Sequence, residues 1–124
     1  MKILSIETSC DDTCISVLEA KGGVRNASFE VLANVSNSQT KVHLPYGGVY
    51  PVLAKREHAK NLPILLEQAL KQASTNDRSL RQDLRRKKVS ARQAGSAKEK
   101  SPIDAIAVTY GPGLEMCLWE GITF

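Results

Sequence analysis

The sequence predicts an α/β fold: three antiparallel strands, then a helix, a fourth strand and part of a second helix. Three features lead there. Short apolar runs, Ile3 to Ile6 and Cys14 to Leu18, flank a polar turn and have the length of buried strands. Leu62, Leu65, Leu66, Ala69, Leu70 and Ala73 recur at helical spacing. A last apolar run, Ile103 to Thr109, breaks into Tyr110-Gly111-Pro112-Gly113, which reads as a strand entering a sharp turn.

Taken in order, the first strand is expected over Lys2 to Glu7 and the second over about Cys14 to Ala20. Lys21-Gly22-Gly23 turns the chain into a third, Ser28 to Val35, alternating in part through Phe29, Val31 and Ala33. Tight connections between the three suggest an antiparallel meander. A loop then runs through His43 and Pro45 to Tyr46-Gly47-Gly48-Val49-Tyr50, where glycine suits a backbone of positive φ. The first helix is expected from near Pro51, a residue suited to a first helical turn, and Pro63 should kink or split it by removing a backbone donor. Leu114 opens the second helix, which reaches Phe124 after about three turns. No capping signal closes it, and Ile122 and Phe124 would lie uncovered. The chain is therefore expected to be the N-terminal piece of something longer, prone to self-association or dependent on a partner.

Composition narrows the class. The 124 residues suffice for one core, and a hydrophobic content of 42% is ordinary for a globular domain. No run approaches the ~20 consecutive apolar residues of a membrane span, so no membrane partner is expected. The start lacks the form of an export signal, and Cys10, Cys14 and Cys117 make no CxxC pair, so reduced thiols in a cytoplasmic protein are expected. Charge is unevenly spread. From Arg78 to Lys100 nine basic residues meet two acids, a local +7, while the rest holds eight basic and eleven acidic residues, or −3. Only Leu80, Leu84 and Val89 are sizeable apolar groups there. Residues 75–101 are accordingly expected to form a disordered basic insertion, transiently helical near Leu80 to Arg86. It reads either as a solvated loop or as an electrostatic contact for RNA phosphate, with no aromatic residue interleaved to stack on bases.

The chemistry concentrates in Glu7-Thr8-Ser9-Cys10-Asp11-Asp12-Thr13. Hydroxyls and carboxylates on a short turn between two strands can hold phosphate and its metal ion. An ordinary acidic hairpin loop is the alternative. Gly111-Pro112-Gly113 at a strand-to-helix turn lets backbone approach a ligand phosphate, or is a tight structural turn. Cys10 has no histidine adjacent in sequence and reads as a small loop residue, and Trp119 reads as packing.

Three blocks stand in order: Ile6-Glu7-Thr8-Ser9-Cys10-Asp11-Asp12-Thr13; Tyr46-Gly47-Gly48-Val49 with Arg56-Glu57-His58; and Ile103-Asp104-Ala105-Ile106-Ala107-Val108-Thr109 with Gly111-Pro112-Gly113-Leu114. Together they closely resemble the N-terminal part of the TsaD family, also called Gcp or YgjD, the tRNA adenosine threonylcarbamoyltransferases. The resemblance covers nearly the whole chain except the basic insertion. It implies the ribonuclease-H-like fold shared by actin, the heat-shock ATPases and sugar kinases (ASKHA), with residues 1–124 forming the first part of the first lobe. It implies transfer of threonylcarbamoyl from threonylcarbamoyl-adenylate to the adenosine next to the anticodon, in tRNAs reading ANN codons. Asp11 would then be the first catalytic candidate, positioning metal-bound water or a nucleophile. Thr8, Ser9, Asp12, Thr13, Gly111 and Gly113 would face the adenylate phosphate, and Glu57 and His58 would support them from behind. TsaB-like and TsaE-like subunits are the implied protein partners.

The family's divalent metal, iron or zinc-like, is held by an HxxxH pair and a distant aspartate. No HxxxH occurs here, and His43 and His58 stand fifteen positions apart, so no metal is expected on this chain alone, which would be inactive by itself. The family's Pro-Glu-Leu-Ala-Ser reads Pro51-Val52-Leu53-Ala54-Lys55, and Glu120 replaces a usual aliphatic residue. Glu57 near the positive end of a helix is also expected on stability grounds alone. Two other readings remain: a non-catalytic module pairing with a TsaB-like subunit, and the family's legacy description as an O-sialoglycoprotein endopeptidase. The latter gains nothing from the sequence, which has no HExxH.

Overall fold

The computed structural model describes residues 1–77, 80–82 and 102–124. Four strands, β1 (Lys2–Glu7), β2 (Asp12–Lys21), β3 (Ser28–Ser38) and β4 (Ala105–Val108), form one sheet in the order β3-β2-β1-β4. β1 pairs antiparallel with β2, and β2 with β3, while β4 runs parallel to β1. A parallel neighbour requires a crossover, and helix α2 (Pro51–Asn76) supplies it. A short helix α1 (Thr40–His43) and a 3-10 turn (Leu44–Tyr46) precede α2, and helix α3 (Glu115–Thr123) follows β4. This is the mixed α/β half-lobe that the sequence predicts: three antiparallel strands, then helix, strand and helix.

Alternation sets the two faces of the sheet. Leu4 and Ile6 on β1 and Thr13, Ile15 and Val17 on β2 are buried beneath α2, whose Ala54, His58, Leu62, Leu65, Ala69 and Ala73 face them at three- and four-residue intervals. β3 breaks the pattern, because Val17 pairs with Ala33 but Leu18 with Val31. Leu32 is therefore an extra residue, which explains why Leu32 and Ala33 are both buried despite being adjacent. The disturbed carbonyl of Leu32 accepts a hydrogen bond from Asn76 Nδ2 at 2.8 Å.

Several boundaries differ from the sequence reading. β2 and β3 are longer at the ends nearest the polar turn, Asp12 pairing with Ser38 across them. The segment expected as loop near His43 contains α1, started when the Gln39 carbonyl accepts the Val42 and His43 N–H groups at 2.9 and 3.2 Å. Gly47 takes φ 70° after the 3-10 turn, as the loop reading required. Pro63 does not split α2, which is continuous through it. The donor it lacks belongs opposite Ala59, an exposed position where water can serve the carbonyl.

The expected basic insertion lies largely outside the described residues, and so does most of its expected helical stretch. Of its edges, Thr75 and Asn76 close α2, Asp77 pairs with Lys2 at 2.9 Å, and Leu80 is fully buried in the core. On the helix side of the sheet, Ile106 and Val108 are level with Leu4 and Ile6 yet stay 68% and 36% exposed, since no described element covers β4 there.

Candidate functional site

The carboxyl ends of the parallel strands β1 and β4 lie side by side, and the chain leaves each through a polar turn. After β1 comes the turn Thr8–Asp11, and after β4 the turn Thr109–Leu114. The two are joined directly: Leu114 N–H donates to the Ser9 carbonyl at 2.7 Å. Gly113 permits this, because a Cβ there would stand 2.5 Å from that carbonyl oxygen. Gly113 therefore stands with its backbone against Ser9, whereas a Cβ added at Gly111 would meet nothing within 4 Å.

Glu7 links the same two turns. Its carboxylate accepts the Ser9 N–H at 2.6 Å and the Thr109 hydroxyl. Burial alone would raise this carboxyl, but the bonds from Ser9 and Thr109 outweigh it and hold Glu7 below the usual range. Glu7 also reaches a depression of ≈ 280 Å³ on the helix-free face of the sheet, lined with it by Ser5, Cys14, Ser16, Ala107 and Thr109.

Two hydroxyls assigned to phosphate in the sequence reading face the core instead. Thr8 is fully buried, and its hydroxyl donates to the Cys117 carbonyl of α3 at 2.8 Å. α3 comes this close because residue 121 is glycine: a Cβ there would meet Thr8 Oγ1 at 2.6 Å. Thr13, also fully buried, bonds His58 Nδ1 at 2.7 Å. The alternation that buries Ile6 and Ile15 carries Thr8 and Thr13 to the same side. Ser9 and Asp11 are partly exposed and Asp12 is exposed, so these three carry the polar groups on the open side of the turn.

His58 stands behind the turn. Its Nε2 lies 3.1 Å from the Cys10 carbonyl, while Nδ1 faces Thr13 and, at 3.3 Å, Gln39 Nε2. Burial pushes the imidazole below its usual range, opposed by the Cys10 carbonyl and the charges of Glu120, Glu7 and Asp11. Glu57 is directed elsewhere, to Lys60 one turn along α2. His43 Nε2 lies 3.0 Å from Gln39 Oε1, and its Nδ1 accepts the Tyr50 N–H at 3.4 Å. Among the described residues no three of His, Cys, Asp and Glu gather as a metal set. The thiols are held protonated. Burial raises Cys10 and Cys14, aided by Asp11 and Asp12 respectively, and pushes Cys117 up to about 11.

The comparisons with known proteins point to one family. The family model TsaD, described as tRNA N6-adenosine threonylcarbamoyltransferase, matches residues 30–82. Three proteins named tRNA N6-adenosine threonylcarbamoyltransferase align along the chain. That of Persephonella marina is 43% identical over 99% of the chain and 27% of its own length. That of Thermosipho melanesiensis is 39% identical over 100% of the chain and 29% of its own length. That of Thermotoga neapolitana is 33% identical over 99% and 28%. Along nearly its whole length the chain is similar to the TsaD family. It spans little more than a quarter of the length of these relatives.

Within this TsaD-like segment, sequence reasoning missed Gln39, His43, Thr109, Cys117 and Gly121. Gln39 lies between β3 and α1 with no motif around it, though a glutamine only 1% exposed is itself a signal once burial is known. Gly121 in the middle of a short helix was the one legible sign, since glycine costs about 1 kcal/mol there without a packing reason. No described helix is long and apolar enough to cross a membrane.

Proposed function

We propose that this chain is the ligand-facing edge of the first lobe in a tRNA N6-adenosine threonylcarbamoyltransferase, acting on threonylcarbamoyl-adenylate and the adenosine beside the anticodon of ANN-reading tRNAs. One observation carries the reading. Two motifs about a hundred positions apart meet at the carboxyl ends of β1 and β4, the end where α/β sheets receive ligands, through the Leu114–Ser9 bond. Asp11 acts as the catalytic carboxylate. Ser9 and Asp12, with the Gly111–Gly113 backbone, attend the phosphate. Thr8, Thr13 and His58 hold the turn from the core side. The iron or zinc-like ion of the transfer reaction is held by residues other than those described, and by itself the chain does not turn over. TsaB-like and TsaE-like subunits and a cytoplasmic setting complete the reading.

The test is a chimera in which this chain replaces the matching 123 residues of the Persephonella marina relative. Threonylcarbamoyl transfer to tRNA should persist in the chimera and fall by at least about a hundredfold with Asp11→Asn. Full activity of Asp11→Asn removes the catalytic assignment, and an inactive but folded chimera removes the reading. A second reading, a non-catalytic module docking on a TsaB-like subunit, is favoured by Trp119 and Phe124, about half exposed on and after α3. Binding of a TsaB-like protein to the 124-residue chain, lost with Trp119→Ser, supports it.

A further inference from the structure

A chain of buried side chains runs from the loop ahead of α2 to the peptide that precedes Asp11. Gln39, His43, His58 and Thr13 are 1%, 3%, 0% and 0% exposed, and every side-chain polar atom among them has a partner. We propose that Gln39 is a positioning residue that locks both histidines as Nε2–H tautomers, so that His58 grips the Cys10–Asp11 peptide from the core side. This inference rests on the reading of the turn as the ligand-facing edge, and deepens it.

Donor and acceptor rules fix every proton in the chain. The Tyr50 N–H can only donate, so His43 Nδ1 accepts and the ring proton sits on Nε2. That proton goes to Gln39 Oε1 at 3.0 Å, which turns the Gln39 amide nitrogen toward Ala54 and His58. The Ala54 carbonyl, 3.4 Å away, can only accept, so the same orientation is required from the other side. Gln39 Nε2 therefore presents a proton to His58 Nδ1, which makes Nδ1 the bare nitrogen, and the Thr13 hydroxyl 2.7 Å away is then a donor to it as well. His58 keeps its proton on Nε2 and donates it to the Cys10 carbonyl. Because a trans peptide sets C=O and N–H on opposite sides, the Asp11 N–H then points away from the core, to the side where the exposed Cys10 thiol lies beside it. A donor at its carbonyl polarises that peptide and strengthens the N–H as a partner for an anion. Gln39 holds the turn a second time, since its own N–H donates to the Asp11 carbonyl at 3.0 Å.

Gln39→Glu is the discriminating variant: it keeps the length and the acceptor for His43 but removes the proton offered to His58. A carboxylate at that place favours a proton on His58 Nδ1. The other charges facing the ring are Glu7 at the end of β1, Asp11 in the turn and Glu120 on α3, the last paired with Lys55 at 3.5 Å. Long-range proton–nitrogen NMR spectra of the labelled chain read both tautomers and titrations. The parent should show Nε2–H at His43 and His58, and Gln39→Glu should raise the His58 proton affinity at least tenfold. Thr13→Val should leave the tautomers unchanged, since Gln39 still donates. A mere packing role would leave the proton where it was in Gln39→Glu. An Nδ1–H tautomer at His58 in the parent, or an unmoved titration in the variant, overturns the proposal. If Gln39→Glu is unfolded at pH 7.5, it should recover at pH 5.5 as the site takes up its proton, and failure to recover also overturns it. Adding AMP separates the two layers: a conforming relay with no response at the Ser9 to Asp12 amides keeps the relay and removes the ligand reading.

Discussion

The turn between β1 and β2 and the turn between β2 and β3 are both short, polar and poor in apolar groups, yet they are built differently. Residues 22–27 are exposed throughout, with Gly22 at φ 85° and Asn26 N–H closing onto the Gly23 carbonyl at 3.0 Å. That turn depends on its own residues and reverses the chain. At the opposite end of β2, Thr8 and Thr13 are fully buried and bond partners 109 and 45 positions away. That turn is fixed by α2, α3 and the β4 exit together, and its shape follows from the tertiary fold. A connection is needed only for the chain to return. Anchoring from three sides holds the backbone of the turn and the Glu7 carboxylate in one geometry, the preorganisation on which the proposed ligand-facing role depends.

The contrast is broken most severely at the glycines. Gly113→Ala places a methyl 2.5 Å from the Ser9 backbone oxygen, where neither segment can yield without parting the two turns. It should cost about 3 kcal/mol, seen as a lowered urea midpoint. Gly23→Ala, with nothing within 4 Å of the new atom, should stay within ~0.5 kcal/mol. Equal effects at the two positions would mean that the first turn is no better anchored than the second.

Thr8→Val is the next step down. It keeps the shape and removes the donor to the Cys117 carbonyl, at an expected cost of about 1–2 kcal/mol. Thr8→Ser retains the hydroxyl and should recover most of the loss. Asn26→Ala on the exposed turn should lie within ~0.5 kcal/mol of the parent, by the same urea measurement.

How much of this was legible depends on how local the cause is. The span of β1 and the start of α2 at Pro51 follow from an apolar run and a residue suited to a first helical turn, both read within a few positions. The turn itself was legible as chemistry, since Thr8 through Thr13 is conspicuous by residue type. Which hydroxyls face outward was not, because that depends on the continuity of strand alternation through Thr8 and into Thr13. The bulge at Leu32 was hidden for a related reason: two adjacent apolar residues look the same whether one is extra or both belong to the ladder. Gln39 and His43 were invisible because their meaning lies in Tyr50, Ala54 and His58, which only the packing of α1 against α2 brings near. The family resemblance pointed at the block containing His58 and said nothing of how its ring is held.

The smallest expected effect is also the one that separates the turns by mechanism, and it comes from pH. Burial lowers the proton affinity of His58 in the folded chain, so between its folded pKa and the unfolded value of about 6.5 the unfolded state binds more protons. Stability from this group is therefore complete above about 6.5 and declines as pH falls through that value toward the folded pKa. Glu7 acts in a separate window. Its folded pKa is lowered, so its contribution persists until pH drops through the carboxylate range. Urea midpoints at pH 7.5, 6.5 and 5.5 should fall in that order for the parent chain. The same fall should persist in Asn26→Ala, because no histidine lies in the exposed turn. In His58→Gln the overall midpoint is lower, but the part of the slope due to the imidazole is removed, leaving a flatter profile over those three values. A parent midpoint that rises on acidification would mean that His58 is charged in the fold, and with that the orientation of its ring toward Cys10 would lose its basis.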